Sequence, residues 1–265
     1  MRRTSVQWTI AIVLTLTSAV WQWTTGPTYP ARGTVRLGGQ DIALRLDRSH
    51  SITERQPVTV TVADASVTGA VKWRRFPTSG PWRIESMARK GDVLETVIPP
   101  APEPLMPMAG KLEYRVKLSR AGEQVTFPEK PAVTRFKGDV PAWILIPHVA
   151  AMFFGMLFAT RAAFAAIGGG NTRTWGFLTV ALLVFGGFVL GPIVQKLAFG
   201  AYWTGIPWGY DLTDNKMLIA GVAWILAAVQ LRGGRQARVA VVVATIVTMV
   251  VFAIPHSVWG SEAKW

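Results

Sequence analysis

Two histidines are the side chains of this chain best equipped for chemistry. His148 and His256 each close an Ile-Pro-His tripeptide, at residues 146–148 and 254–256. Imidazoles from two facing helices can ligate a b-type haem, a chlorophyll-type pigment or a metal ion. A histidine near a helix end also has a structural use, bonding a backbone group or a lipid head group where the proline before it has freed a carbonyl. Both roles are open for this pair, and the structural one is favoured. His50, the only other histidine, is expected in an exposed turn.

Residues 199–216 form a second group, mixing aromatics, glycine and proline with a polar end. Trp203, Trp208 and Tyr210 suit contact with a pigment, a quinone, a lipid tail or a neighbouring protein helix. Asp211, Asp214, Asn215 and Lys216 have two readings. They line a substrate or proton site, or they cap and ion-pair the start of the next helix, with Asp211 or Thr213 as the cap and Asp214 in the first turn. The second is favoured because the charges stand at the edge of an apolar run. A third group is the stretch 99–110, where five prolines frame Leu105, Met106 and Met108. Proline stiffens it and the methionines offer soft apolar contact, so it serves either as a crossover between sheets or as a docking loop. No histidine or cysteine accompanies those methionines, which removes the main support for copper.

The absence of cysteine excludes disulfides, thiolate metal sites and cysteine nucleophiles together. No stretch carries a specific catalytic or metal-ligand motif, so the chain reads as a non-enzyme.

Five apolar stretches position these groups: residues 6–23, 142–167, 175–194, 217–231 and 239–259. Most approach the roughly 20 residues that a helix needs to cross a bilayer. With the amino terminus in the cytoplasm, the inner segments hold Arg2, Arg3, Arg161, Arg173, Arg232, Arg235 and Arg238 and no acidic residue. That is the charge asymmetry expected of cytoplasmic loops. The first stretch is a signal anchor, moderately apolar, with Trp8, Trp21 and Trp23 near its ends where indoles favour the interface. The formal charge of +13 is thus largely topological, the inner arginines meeting anionic lipid head groups. Inner loops this short give no face for nucleic acid. No Asp, Glu or Lys interrupts an apolar stretch and the five spans do not divide into inverted halves, so a transporter is not indicated.

The chain therefore divides into an anchor (1–23), an outer domain (24–141) and a four-helix transmembrane domain (142–265) that contains the aromatic outer loop 195–216. The outer domain carries 18 Lys and Arg against 12 Asp and Glu, and it alternates apolar and polar residues over 35–46, 58–62, 71–76, 93–98, 112–118 and 125–127. Hairpin tips are expected at Arg89-Lys90-Gly91-Asp92 and Arg120-Ala121-Gly122-Glu123. Seven or eight short strands of this kind fit a two-sheet sandwich of the fibronectin or immunoglobulin type, with Trp73 as the core indole and Tyr114 placed for a tyrosine corner. The fold class is a membrane α-helical bundle of five helices plus an all-β sandwich outside the membrane.

The junction Arg135-Phe136-Lys137-Gly138-Asp139-Val140-Pro141 and the segments Tyr202-Trp203-Thr204-Gly205 and Asp214-Asn215-Lys216 carry a resemblance. In these residues the chain resembles a group of largely uncharacterised bacterial inner-membrane proteins in which an anchored β-sandwich leads directly into four more helices. The resemblance implies the topology and transfers no activity. The leading expectation is a non-catalytic accessory subunit of a larger inner-membrane complex, respiratory or photosynthetic, with other integral membrane subunits and lipids as partners. The β-domain and carboxyl terminus would then be periplasmic. Alternatives are a redox protein holding haem or pigment at His148 and His256, and a membrane sensor or assembly factor whose sandwich binds a client transiently.

Overall fold

The structure is a computed structural model and describes residues 2–233 and 237–255. It separates into two compact units, a β-rich segment Pro27–Asp139 and a unit built from the helices and their connections.

The β-rich unit has ten described strands: β1 (Ala31–Leu37), β2 (Gln40–Leu46), β3 (Ser49–Ser51), β4 (Gln56–Thr61), β5 (Thr68–Phe76), β6 (Arg83–Ser86), β7 (Ala88–Lys90), β8 (Val93–Ile98), β9 (Lys111–Arg120) and β10 (Glu123–Lys137). They form the sheets β1-β2, β3-β10-β9-β5-β6 and β4-β8-β7. All pairings are antiparallel except that of β3 with β10. One apolar core draws on all three sheets, including Leu37 and Leu44, Val58 and Leu94, and Val71, Trp73, Leu112 and Phe136. Strand periodicity puts every second side chain into that core, as Ile42, Leu44 and Leu46 of β2 show.

Both expected hairpin tips are present, with Gly91 at φ 58° between β7 and β8 and Ala121-Gly122 at 47° and 85° between β9 and β10. The run 35–46, however, is two strands and not one. Gly38 and Gly39 take φ of 57° and 81° and turn the chain back, so Val35 faces Ile42 across a hairpin. His50 is also not an exposed turn residue. It is half-buried in β3 with its ring edge-on to Phe136.

A buried polar network crosses this core. Tyr114 Oη donates to Asp47 O at 2.6 Å and accepts from Gln56 Nε2 at 3.0 Å, while Thr134 Oγ1 donates to Gln56 Oε1 at 2.6 Å. Gln56 Nε2 also reaches Asp47 O, at 2.8 Å. The contact ties β9, β4 and β10 to the chain after β2, so Tyr114 serves a longer-range connection than the local corner expected. Burial, with the nearby Asp47 charge second, holds the Tyr114 phenol well above its ordinary pKa.

The helical unit consists of α1 (Arg2–Thr25), α2 (Ala142–Gly168), α3 (Thr172–Leu183), a π-helical stretch Val184–Leu190, α4 (Gly191–Phe199), α5 (Leu212–Gly233) and α6 (Ala237–Ala253). The run from α3 to α4 is a single 28-residue apolar helix, Thr172–Phe199. It joins Thr4–Thr25, Ala142–Gly168 and Leu212–Arg232 as the four helices among the described residues that are long and apolar enough to cross a membrane, whereas the described part of α6 is shorter. The expected fifth stretch 239–259 extends past Pro255, outside the described residues.

Small residues let these helices approach closely: Ala159 and Ala162 of α2, Ala220 and Ala227 of α5 and Ala244 of α6 share one core. Hydrogen bonds cross it, from Trp224 Nε1 to Thr248 Oγ1 at 2.9 Å and from Thr245 Oγ1 to Ala159 O at 2.9 Å. At the other end of the unit, Arg161 lies inside α2 and not in a loop. It is 7% exposed, with its guanidinium 5.6 Å from the ring centres of Trp8 and Trp175. Trp8 is therefore committed to protein contact, packing edge-on against Trp175 and Phe158. The arginine's charge meets aromatic faces while Nε and Nη1 have no hydrogen-bond partner among the described residues.

Candidate functional site

His148 is positioned by a defect in a neighbouring helix. Pro147 precedes it inside α2, and its Nδ1 lies 2.9 Å from Gly186 O. Gly186 belongs to the π-helical stretch, and the same carbonyl receives the N–H of Gly191, five residues on. π-turns of this kind often mark functional positions. A carbonyl only accepts, so Nδ1 carries the proton and Nε2 of the neutral ring keeps its lone pair. Glycine makes the approach feasible: a Cβ on Gly186 would stand 2.8 Å from Ala151 Cβ, and one on Gly187 2.2 Å from Met217 Sδ.

Opposite His148, the segment between α4 and α5 is folded around a carboxylate. α4 ends at Gly200 with φ 88°. Asp214 Oδ2 then accepts from Thr204 N at 2.6 Å, Gly205 N at 3.0 Å, Gln195 Nε2 at 3.0 Å and Thr204 Oγ1 at 3.3 Å. Asn215 Oδ1 accepts from Ile206 N at 2.8 Å. Asp211 caps α5, its Oδ1 accepting from Thr213 N at 2.8 Å and Asp214 N at 3.3 Å. Gly205 has no room for a side chain, because a Cβ there would sit 2.6 Å from Asp214 Cβ. Lys216 turns the other way, its Nζ donating to Ile254 O at 2.6 Å and Pro255 O at 3.3 Å. A cation at the carboxyl end of α6 meets carbonyls that the helix leaves unpaired.

The charged residues are therefore not at a solvated edge. Asp211, Asp214 and Lys216 are all buried, at 5%, 6% and 2% exposure. Of the two sequence readings, the cap is present at Asp211, but the bonds recorded for Asp214 and Lys216 run to different parts of the unit and not to each other.

The aromatic residues of this segment part company. Trp203 folds inward, its ring stacked on Phe188 with centroids 6.2 Å apart and its Nε1 donating to Ile206 O at 3.1 Å. Trp208 and Tyr210 are exposed, as are Tyr202 and Ile206. In the β-rich unit Met106 is part of the core, leaving Leu105 and Met108 exposed on the 99–110 loop. His256 lies outside the described residues, so the expected histidine pair has a described geometry only at His148.

Two cavities meet at His148. One, of about 180 Å³, is lined by His148, Gln195, Asp211, Asp214 and Lys216 together with apolar side chains of α2, α4, α5 and α6. The other, of about 240 Å³, runs past Thr15, Ala19 and Gln22 of α1 and Val149 and Met156 of α2. They share His148, Met152 and Phe252. A cavity near 150 Å³ holds benzene, so the first has room for about one substituted ring. Among the described residues no group of three His, Cys, Asp or Glu is placed to hold a metal ion. Thr204, one of the residues that carry the resemblance, enters the site through its N–H and hydroxyl, whereas Gln195 belongs to no motif. The signal that could have found Gln195 is an amide closing an otherwise apolar run.

No protein-family model, curated protein or solved structure matches the chain.

Proposed function

We propose that the chain is a multi-pass protein of a bacterial inner membrane and a non-catalytic accessory subunit of a larger membrane assembly. In this reading all five helices cross the bilayer, with the amino terminus inside. The β-rich unit is a two-layer sandwich that stands in the periplasm, and the anchored-sandwich proteins that the sequence resembles share its plan.

One observation carries the accessory role. The buried polar groups at the His148 end of the helical unit are bonded to backbone: Asp214 to Thr204 and Gly205, Asp211 to the first turn of α5, Lys216 to the end of α6, and His148 to Gly186. Such groups hold a shape. Apolar side chains cover much of the outside of the same helices, among them Ile167, Val229 and Val239, which suits lipid or a neighbouring helix. Six arginines without an acidic neighbour in the inner segments, Arg161 being buried in α2, support the orientation. An energy-converting complex, respiratory or photosynthetic, is the host this reading favours.

Extraction in mild detergent followed by native electrophoresis tests the role. The expected result is co-migration with other membrane proteins, and a clean monomer at every concentration would reject it.

The haem or pigment reading keeps one supporting observation, the Nδ1 bond that leaves His148 Nε2 unprotonated as a ligand must be. Against it stands a cavity of only about 180 Å³. A visible absorption spectrum decides this reading, since a haem on His148 and His256 gives a Soret band that either substitution abolishes.

A further inference from the structure

The two cavities that meet at His148 have complementary characters. The 180 Å³ cavity is walled by Val194, Phe199 and Met217 and ends on polar groups, whereas the 240 Å³ groove is mostly apolar and follows α1 and α2. That combination suits an amphiphile with a head no larger than one substituted ring and an unbranched or isoprenoid tail.

The hydrogen bonding of the head is dictated by the groups already fixed. His148 spends Nδ1–H on Gly186 O and offers Nε2 as an acceptor. Lys216 Nζ donates to Ile254 O and Pro255 O, and the Asp211 carboxylate stands near enough to act on its charge, so the polar end of the cavity presents a carboxylate and an ammonium together. A ligand that gives one proton to the histidine and presents a second oxygen to the Asp211 and Lys216 pair complements this cavity. A phenolic oxygen can do either.

From this geometry we infer that the helical unit binds a lipid-soluble hydroquinone. Its ring occupies the 180 Å³ cavity, one O–H donates to His148 Nε2, the other hydroxyl faces the Asp211 and Lys216 pair, and the tail lies in the groove beside Ala19 and Met156. The inference is of binding alone. It rests on the membrane placement proposed above, because such a ligand arrives through the bilayer.

The test is calorimetric titration of the purified full chain in detergent with a decyl-substituted benzohydroquinone, kept reduced, and with the dimethyl ether of the same compound. Saturable 1:1 binding is expected, with the ether at least tenfold weaker because it has no proton to donate. His148→Phe should abolish that difference. Ala19→Trp, a change at an exposed position of the groove, should weaken the decyl compound at least tenfold while leaving the tail-free hydroquinone unaffected. Gly191→Ala is a milder change at the ring site: its Cβ would stand 3.7 Å from His148 Cε1 and 3.4 Å from Gly186 O, ordinary contacts that narrow the cavity, so binding should weaken by more than the small stability cost of a Cβ before Pro192, which a parallel melting curve measures. Equal affinity for hydroquinone and ether, absence of saturable binding by protein with an unchanged melting profile, or a tightly held phospholipid that the hydroquinone cannot displace would each overturn the inference. Phase separation in Triton X-114 keeps the two failures apart. A chain that partitions into the aqueous phase contradicts the membrane reading itself, whereas one that partitions into detergent and binds no hydroquinone contradicts only the site.

Discussion

Two side chains show how single residues hold this molecule. Tyr114 is buried with its hydroxyl on Asp47 O, and its folded-state pKa is raised by burial. The unfolded chain releases the phenolic proton near pH 10 while the folded state retains it, so this contribution is intact below about pH 10 and falls as pH rises above it. Tyr114→Phe should cost about 1 kcal/mol at neutral pH through the lost hydrogen bond, and should flatten the alkaline loss. Urea titrations followed by near-ultraviolet circular dichroism at about pH 8 and about pH 11 measure both effects. A steeper alkaline loss in the variant would contradict the assignment. Asp214 plays the corresponding part in the helical unit, where Asp214→Ala leaves the N–H groups of Thr204 and Gly205 without their acceptor. A loss of about 3 kcal/mol is expected, together with new trypsin cleavage at Lys196, and an unchanged digestion pattern would count against the carboxylate as the organiser of this segment. Neither role was fully legible in the sequence. The position of Tyr114 suggests a local tyrosine corner, whereas its backbone partner, Asp47 O, lies far along the chain. Asp214 and Lys216 read as edge residues because the apolar run starts at Met217, while the helix starts at Leu212.

At the scale of elements, period and turn chemistry carried most of what could be read. The helices announced themselves by length and apolarity, and two hairpins by their glycines. The hairpin of β1 and β2 does have a local signal that a single run over 35–46 overlooks: Gly38-Gly39 is a hairpin dipeptide, and across it the apolar phase shifts from Val35 and Leu37 to Ile42, Leu44 and Leu46. Pairings such as β3 with β10 have no local signal, since the partners are joined only by folding. The π-helical stretch has none either, although its glycines hint at close contact. Gly186→Ala is expected to be costly, because Ala151 Cβ cannot swing away from the added methyl. Overpacking of this kind costs about 1–3 kcal/mol, so thermal unfolding in detergent should occur several degrees earlier. If Gly186→Ala and Gly191→Ala melted alike, close packing at the π-turn would not be what sets its geometry.

For the whole molecule, composition spoke most clearly: a β-rich segment, a set of helices able to cross a membrane, and arginines gathered in the segments assigned to one side. What composition does not encode is the depth of the polar groups, which depends on how α4, α5 and α6 meet. In the proposed placement the helices lie in the inner membrane with the β-rich unit on its outer side. Protease treatment of sealed, right-side-out spheroplasts tests it most directly. Digestion of the Pro27–Asp139 segment with survival of the membrane-embedded fragments is the expected result. Full protection of that segment, with cleavage only after the spheroplasts are lysed, would contradict the account.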